Sequence, residues 1–467
     1  MIQAISLSQL ASAVNGQAVG ENIEFSSVAI DTRALNEGDL YIALKGERFD
    51  GHQFIQKAIE KGCSGFLINS EFEISDSILD KMPHIVVDNT LKALGECARI
   101  NRENFKGRVV GLTGSSGKTS TKNMLQCILS EKGSTYATHG NFNNEIGVPL
   151  TLLNIERNHQ YAVVEMGARK QGDIEYLVDF VQPDVAILLN AGMAHIDTFG
   201  SQEDIVRTKG EIFTALKSGG LAVVNADDPA QKIWLDSLIN KDVLTFSVKR
   251  EDADLFASNI ESNDITSRFI LNYRGQSQPI FLPLPGLHNI ANSLAASAAA
   301  VSLGFDLPTI TNGLAKLSAS QGRLMTIPCS EKLLVIDDSY NANPSSMKAA
   351  IDVLALKQGY KIAVLGEMAE LGDFAKNLHL ELAEYIAQSK IDKVYIIGSF
   401  AAEMAELVGE KAHVAVTKNE VFDSLMNNER IFETDEGTLI TTSVLIKGSR
   451  STAMDELVDM IIKKAAH

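Results

Sequence analysis

The stretch 108-RVVGLTGSSGKTSTKN-123 sets glycines, a lysine and hydroxyls directly behind an apolar run. Backbone N–H groups at such a turn can wrap phosphate oxygens, and the helix that follows adds partial positive charge at its N-terminus. Gly114 and Gly117 permit the tight turn. Lys118 stands where its ammonium reaches terminal phosphates, and Thr119 where its hydroxyl can ligate Mg²⁺. The usual loop, G-x-x-x-x-G-K-[ST], has its first glycine five positions before the second. Here that position holds Leu112, and the nearest glycines are Gly111 and Gly114. On these residues alone, a damaged nucleotide site, a chance match and a shortened variant all stay open.

The surrounding elements support a phosphate loop. A strand over 108–113 leads in, and a helix over 119–133 leads out with Met124, Leu125, Ile128 and Leu129 facing inward. Further strands are expected at 161–167, 184–190 and 221–227, near-continuous in apolar residues, as parallel strands covered on both faces are. A more polar, β-rich region spans 243–284. A second strand–helix series begins near Lys332, with strands at 332–338, 361–367, 393–399 and 438–448 and a helix over 345–357. The first 82 residues are irregular, with a short strand at 39–44 and a helix around 52–62; a strand at 84–89 and a helix from Thr90 follow. This alternation predicts an α/β protein built on doubly wound, mostly parallel sheets.

Composition narrows the class. The chain has 467 residues, 45% hydrophobic and 22% charged, room for about three domains at roughly 150 residues each. A net charge of −17 and a pI near 5.0 argue against a nucleic-acid or anionic-membrane partner, which would want clustered Lys and Arg. Cys63, Cys97, Cys127 and Cys329 form no CxxC pair, so free thiols in a reducing compartment are expected. No basic residue precedes Arg33, so the N-terminus lacks the charged start of a signal peptide. The uncharged run 275–305 contains three prolines and has an alanine-rich tail, which reads as a loop and a buried helix and not as a membrane span. The expectation is a cytoplasmic monomer.

Several further segments resemble one family in order and spacing. The loop 113-TGSSGKTS-120 is similar to the shortened phosphate loop of the Mur ligases, in which the first glycine is not used. The segments 30-IDTRALNEGDLYIALKGERFDGHQFIQKA-58, 138-THGNFNNEIGVPLT-151, 164-VEMGA-168, 190-NAGMAHIDTFGS-201, 209-KGEIF-213, 225-NADDP-229, 337-DDSYNANPSSM-347, 365-LGEMAELG-372 and 447-KGSR-450 follow the same family. The resemblance covers the whole chain. It implies a small α/β UDP-substrate-binding domain over 1–82, a central P-loop ATPase domain over 83–312 and a C-terminal Rossmann-like domain over 313–467.

The resemblance also implies a reaction. A substrate carboxylate attacks the γ-phosphate of ATP to give an acyl phosphate, and an amine then displaces phosphate to form an amide. Two anions must approach each other, so two Mg²⁺ ions and Lys118 would neutralise the charge. The C-terminal motifs resemble the branch that joins D-Ala-D-Ala to UDP-MurNAc-tripeptide. The branch that adds a diamino acid carries D-N-P-R, whereas 338-DSYNANPSS-346 lacks that arginine. A P-loop ATPase or a non-catalytic nucleotide module is the alternative of a different class.

Residue roles follow from the same resemblance. Gly114, Ser115, Ser116, Gly117, Lys118, Thr119 and Ser120 would hold the phosphates. Glu165 would join Thr119 on Mg²⁺; read alone, it is a strand-end acid. His195, which alone reads as a structural or solvated histidine, would ligate a second Mg²⁺. Lys209, a helix lysine by composition, would carry a carbamate and serve that same ion. Lys118, His195 and Lys209 are thus the catalytic candidates. Asn289 and Asn292 would approach the base, with Arg323 and Asp338 reaching the phosphates and ribose from the third domain by rotation about residues near 312. Asp31, Arg33, Lys45 and Gly46 would hold the UDP moiety. Asn141, Asn143 and Asn144, which otherwise read as turn formers, would contact the sugar or phosphate region. Tyr340, Asn341 and Asn343 would line the dipeptide pocket.

Overall fold

The computed structural model describes every residue except 47–48, 74–81, 319–320, 428–440 and 466–467. Three large sheets organise the chain. The first has five strands in the order Gln17–Val19, His84–Val87, Gly65–Asn69, Leu40–Ile42, Val28–Ala29. All of its pairings are parallel except the Gln17–Val19 edge. Leu40, Tyr41, Ile42, Phe66 and Leu67 are buried in it. A division after residue 82 cuts this sheet, because His84–Val87 is hydrogen-bonded between two of its strands. The sheet therefore continues past the expected end of the first unit.

The helix Thr90–Asn104 then carries the chain to the second sheet. Asn89 caps it by accepting from the Lys92 amide at 2.9 Å. One face buries Leu94, Cys97 and Ala98. Asn101 donates to the carbonyls of Leu152 and Ile155, and Arg102 to that of Val181. These long-range bonds bind the helix to the central unit.

The central sheet has nine strands. In sheet order they are Gln276–Leu282, Ser267–Tyr273, Leu255–Ser262, Asp242–Ser247, Leu221–Asn225, Val185–Leu188, Arg108–Thr113, Tyr161–Glu165 and Thr135–Ala137. The two pairings at the Gln276–Leu282 edge are antiparallel and the others parallel. Chain order reverses around Arg108–Thr113: the next strand lies beyond Tyr161–Glu165 on one side, and later strands build outward on the other. Ligands of doubly wound sheets sit outside the carboxyl ends of the strands at such a reversal. Glu165 ends its strand, and Lys118 and Asn190 lie just past the ends of theirs.

The alanine-rich segment forms the helix Leu287–Ser302, with Leu294, Ala295, Ala296 and Ala298 fully buried. Small side chains let it pack closely on the sheet. No helix among the described residues is long and apolar enough to cross a membrane.

The third sheet has six strands, in the order Met325–Pro328, Leu333–Asp338, Thr442–Lys447, Tyr360–Leu365, Lys393–Ile396, Ala412–Val414. Only the Met325–Pro328 edge is antiparallel. The strand expected at 438–448 is found from Thr442; residues 438–440 lie outside the described residues. The edge strand Met325–Pro328 has no apolar run to announce it. Its burial alternates between half-buried and exposed, as a one-sided edge does.

The third unit meets the second at several points. Buried Lys357, just past the helix Pro344–Ala355, donates to the Asp264 carbonyl at 2.5 Å. Asp264 sits in the hairpin turn between Leu255–Ser262 and Ser267–Tyr273.

Candidate active site

Gly117 adopts φ 80° at the start of the helix Lys118–Leu129, a backbone region open to glycine at little cost. A Cβ there would lie 2.3 Å from the Asn292 Oδ1 atom. The loop therefore needs glycine both for its turn and for the close approach of the Leu287–Ser302 helix. Asn190, at the end of the neighbouring strand, fastens the loop from the other side. Its carbonyl accepts from the Ser115 amide at 3.1 Å and its Oδ1 from the Ser116 amide at 3.0 Å. Ser115 Oγ donates to the Gly192 carbonyl at 2.7 Å.

Beyond this turn, Lys118 curls back so that Nζ donates to the Gly114 carbonyl at 2.6 Å. Burial pushes its pKa down; Glu165 opposes that shift and Arg323 adds to it. Thr119 Oγ1 donates to Glu165 Oε2 at 3.0 Å, and Asn143 Nδ2 to Glu165 Oε1 at 2.8 Å. Both oxygens of this buried carboxylate are thereby fixed. The Glu165 amide donates to Thr138 Oγ1 at 3.0 Å, and buried Lys122 donates to the Thr138 carbonyl at 2.7 Å.

The expected Mg²⁺ chemistry can be tested against these atoms. Thr119 and Glu165 offer a hydroxyl and a carboxylate, a pair of oxygen donors. Mg²⁺ is commonly held this way, with phosphate oxygens and waters supplying its other ligands. Among the described residues no group of three or more His, Cys, Asp and Glu could by itself hold a metal ion. The residues fit that group.

A cavity of about 980 Å³ opens in front of this network. The central unit lines it with the loop from Ser115 to Ser120 and with Asn141, Asn143, Asn144, Glu165, His195, Asn289 and Asn292. The third unit contributes Arg323, Asp338, Tyr340, Asn341, Asn343 and Lys447, and the first contributes Ile30. Residues far apart in sequence thus share one wall because three separate sheets end at the same place.

Some candidates play visible structural parts here. Asn289 donates to the Pro285 carbonyl at 2.8 Å, closing the turn into its helix. Asn144 Oδ1 accepts from the Gly147 amide at 2.9 Å. Asn343 caps Pro344–Ala355, its Oδ1 accepting from the Ser346 amide at 2.9 Å. Neighbouring His288 is held neutral: burial, with Lys447 assisting, pushes its pKa down to about 4.

On the third unit, Lys447 is buried between Asp338, at 2.6 Å, and the Asn341 carbonyl, at 2.8 Å. Burial raises the Asp338 pKa, and Lys447 opposes the rise. The Asp338 Oδ1 atom also accepts from the Leu324 amide at 3.1 Å. The Arg323 guanidinium lies 4.3 Å from the centre of the Tyr340 ring, a cation–π stack that holds the charge over the cavity.

Two groups of candidates stand apart. Lys209 is 2% exposed and is not among the residues that line the cavity; its ammonium is 5.9 Å from the Phe199 ring centre. Burial, reinforced by Lys118, pushes its pKa down to about 7. As an ammonium it has donors only and cannot ligate a metal. Asp31, Arg33, Lys45 and Gly46 lie on the first unit and are not part of the wall. Arg33 reaches sideways, its Nη2 2.6 Å from Asp31 Oδ2, with 86% of its side chain exposed. This contact pulls the Asp31 pKa down to about 2.

Sequence reasoning passed over Asn190, Lys122, Lys447 and Glu370. Asn190, Lys447 and Glu370 lie inside segments with a family pattern, but their side chains gain meaning only through partners distant in sequence. Lys122 carries one local signal: a lysine on the inward face of an amphipathic helix.

A parallel nucleotide loop, an acid on the adjacent strand and a cavity closed by a third sheet define an ATP-using ligase architecture. The chain belongs to the Mur ligase family. It matches the Mur ligase middle domain over 112–300, the Mur ligase glutamate ligase domain over 322–450 and the Mur ligase family catalytic domain over 24–102. It is 41% identical to UDP-N-acetylmuramoyl-tripeptide–D-alanyl-D-alanine ligase of Escherichia coli K12, over 97% of each chain. Among solved structures it is similar to MurF from Acinetobacter baumannii, with a TM-score of 0.92, 36% identity and 99% of each chain covered. It is also similar to MurF ligase from Thermotoga maritima in complex with ADP, with a TM-score of 0.81 and 30% identity over 94% of this chain and 98% of that one.

Proposed function

We propose that this chain joins D-alanyl-D-alanine to UDP-N-acetylmuramoyl-tripeptide at the expense of ATP, forming UDP-MurNAc-pentapeptide, ADP and phosphate for peptidoglycan. The observation that carries the reading is the cavity wall. It brings Lys118, Thr119 and Glu165 to the same cavity as Arg323 and Lys447, in a chain 41% identical to a named ligase of this reaction.

In this reading Lys118, Arg323 and the loop amides surround the phosphates, so that a substrate carboxylate can approach the γ-phosphorus. Mg²⁺, when bound, neutralises the phosphoryl oxygens; Thr119 and Glu165 would hold one ion, and His195 would serve a second. Ser115, Ser116 and Ser120 complete the phosphate turn. Asn289 and Asn292 border the base, and Asp338 stands on the ribose side. Tyr340, Asn341 and Asn343 receive the dipeptide, whose amine captures the acyl phosphate. Asp31, Arg33, Lys45 and Gly46 hold the UDP end, and Asn141, Asn143 and Asn144 the sugar side.

Lys209 reacts with CO₂ through its neutral amine, losing a proton to become a carbamate that serves the second ion. Its pKa near 7 supports this, because only the unprotonated nitrogen is nucleophilic. Three units, close to 1–82, 83–312 and 313–467, divide the work, with the first extended to include the His84–Val87 strand. The protein acts as a monomer in the cytoplasm, where ATP is at hand, without nucleic acid as a partner; four free cysteines suit a reducing compartment.

The test is incubation with ATP, UDP-MurNAc-tripeptide and D-Ala-D-Ala, with mass detection of the pentapeptide. Phosphate release that ignores both acceptors would point to an ATPase. Consumption of UDP-MurNAc-dipeptide with a diamino acid would point to the preceding ligase.

A further inference from the structure

His195 has φ 61° and Glu370 has φ 61°. Neither is glycine, and this left-handed region is sparsely used by other residues. His195 ends the 190–195 turn of the central unit and starts the short helix Ile196–Phe199. Glu370 belongs to the third unit, two residues before the helical turn Gly372–Phe374. Their side chains meet: His195 Nδ1 lies within ion-pair distance of Glu370 Oε2, an approach that lacks the angles of a full hydrogen bond.

The contact is part of a fitted joint. The Asp197 amide approaches the Glu370 carbonyl at 3.4 Å. Gly372, at φ 52°, lies so close to Asp197 that a Cβ on it would be 2.9 Å from the Asp197 Cβ. A surface ion pair between two long, free side chains is worth little. Here the backbone on both sides is held in an unusual shape, and a glycine admits the approach. Unusual backbone of this kind persists where the surroundings impose it and is frequent at functional sites.

We propose that Glu370 is a positioning residue: carried in by the third unit, it fixes the His195 imidazole by its Nδ1 edge and leaves Nε2 to serve the cavity. The inference rests on the ligase reading and on His195 having a part in it. A histidine that works through one ring nitrogen is commonly oriented by a carboxylate on the other. The consequence is economical: a ring belonging to the central unit is set only when the third unit is seated, so docking of that unit and readiness of the site become one event.

The test uses the full chain with Glu370→Gln, which keeps size and removes charge, and Glu370→Asp, which keeps charge. For Glu370→Gln, kcat is expected to fall by about tenfold or more, the effect typical of losing such a partner. The KM for ATP and the melting temperature should stay at parental values, and Glu370→Asp should recover part of the rate. A second readout needs no turnover. In ¹⁵N-histidine spectra of the protein, which has nine histidines, the signal assigned to His195 by its loss in His195→Gln should move in Glu370→Gln. Parental kcat in Glu370→Gln, or an unmoved His195 signal, overturns the proposal. So does a rate loss matched by a lower melting temperature. If the parent itself fails to join the dipeptide, the ligase reading fails instead, and the ring signal still decides whether Glu370 sets the imidazole.

Discussion

Around Glu165 the polar side chains are buried or half-buried and tied to each other: Thr119 and Asn143 hold its two oxygens, and Lys122 braces the Thr138 backbone behind it. Arg33 is exposed, and among the described residues its side chain pairs only with its sequence neighbour Asp31. The first arrangement is rigid before the reaction and suits chemistry, where geometry must be set in advance. The second can exchange a weak surface partner for a ligand's phosphates at small cost. Substitutions should therefore split cleanly: losses in kcat with little effect on KM at the first region, and the reverse at the second.

The largest effect is expected at Lys118. Lys118→Ala should lower kcat by about a thousandfold, at the upper end for losing one charge-stabilising donor, in a phosphate-release assay with both acceptors. Stability should not fall, because burial already works against the ammonium. A variant retaining a tenth of the parental rate would break the contrast at its strongest point.

Lys209→Ala should cost about a hundredfold, the scale of a lost metal-supporting group, with partial recovery when short carboxylic acids are added. Its pH signature is separate. The unmodified amine has a pKa of about 7 when folded against a model value of 10.5. Between these values the unfolded chain binds the extra proton, so stability rises with pH there, by at most about 1.4 kcal/mol per unit. Below pH 7 both states are protonated and the full penalty of burial applies. Denaturant melts of the parent and Lys209→Met in CO₂-free buffer should therefore converge in the parent's favour from pH 7 to pH 10. Parallel curves would show that Lys209 is not a buried free amine.

How far the sequence alone reached follows the same division. The loop, its strand and its helix are contiguous, so the strand, glycine turn and helix over 108–129 are readable from spacing and periodicity. Glu165 could be placed because an acid closing an apolar strand is unusual. The boundary after 82 fell inside a sheet because His84–Val87 looks like any buried parallel strand, and pairing partners are not written locally. Asn190 and Lys447 escape for the same reason: one acts through amides of another loop, the other through Asp338, far away in sequence. The His195–Glu370 joint spans two units and could not be seen in either.

Arg33→Ala probes the exposed region. The KM for the UDP-linked substrate should rise about tenfold, as for one lost charge-assisted phosphate contact, while kcat stays near the parental value. Stability should change by no more than about 0.5 kcal/mol, since the Asp31 pair is solvent-exposed. A fall in kcat equal to that of Lys118→Ala would erase the distinction between the two regions.

The smallest effect is the most discriminating, because Asn343 belongs to both kinds of site. It lines the cavity, and it caps the helix Pro344–Ala355 through the Ser346 amide. Asn343→Ala should cost about 1 kcal/mol of stability, as loss of an N-cap does, and raise the KM for D-Ala-D-Ala a few-fold. Serine caps about as well as asparagine but lacks the amide, so Asn343→Ser should restore the melting temperature and leave the KM high. If Asn343→Ser restores both, the residue serves the helix alone. The polar contact to the dipeptide then falls to Tyr340 and Asn341, the latter's side-chain oxygen accepting only from the adjacent Ala342 amide among the described residues.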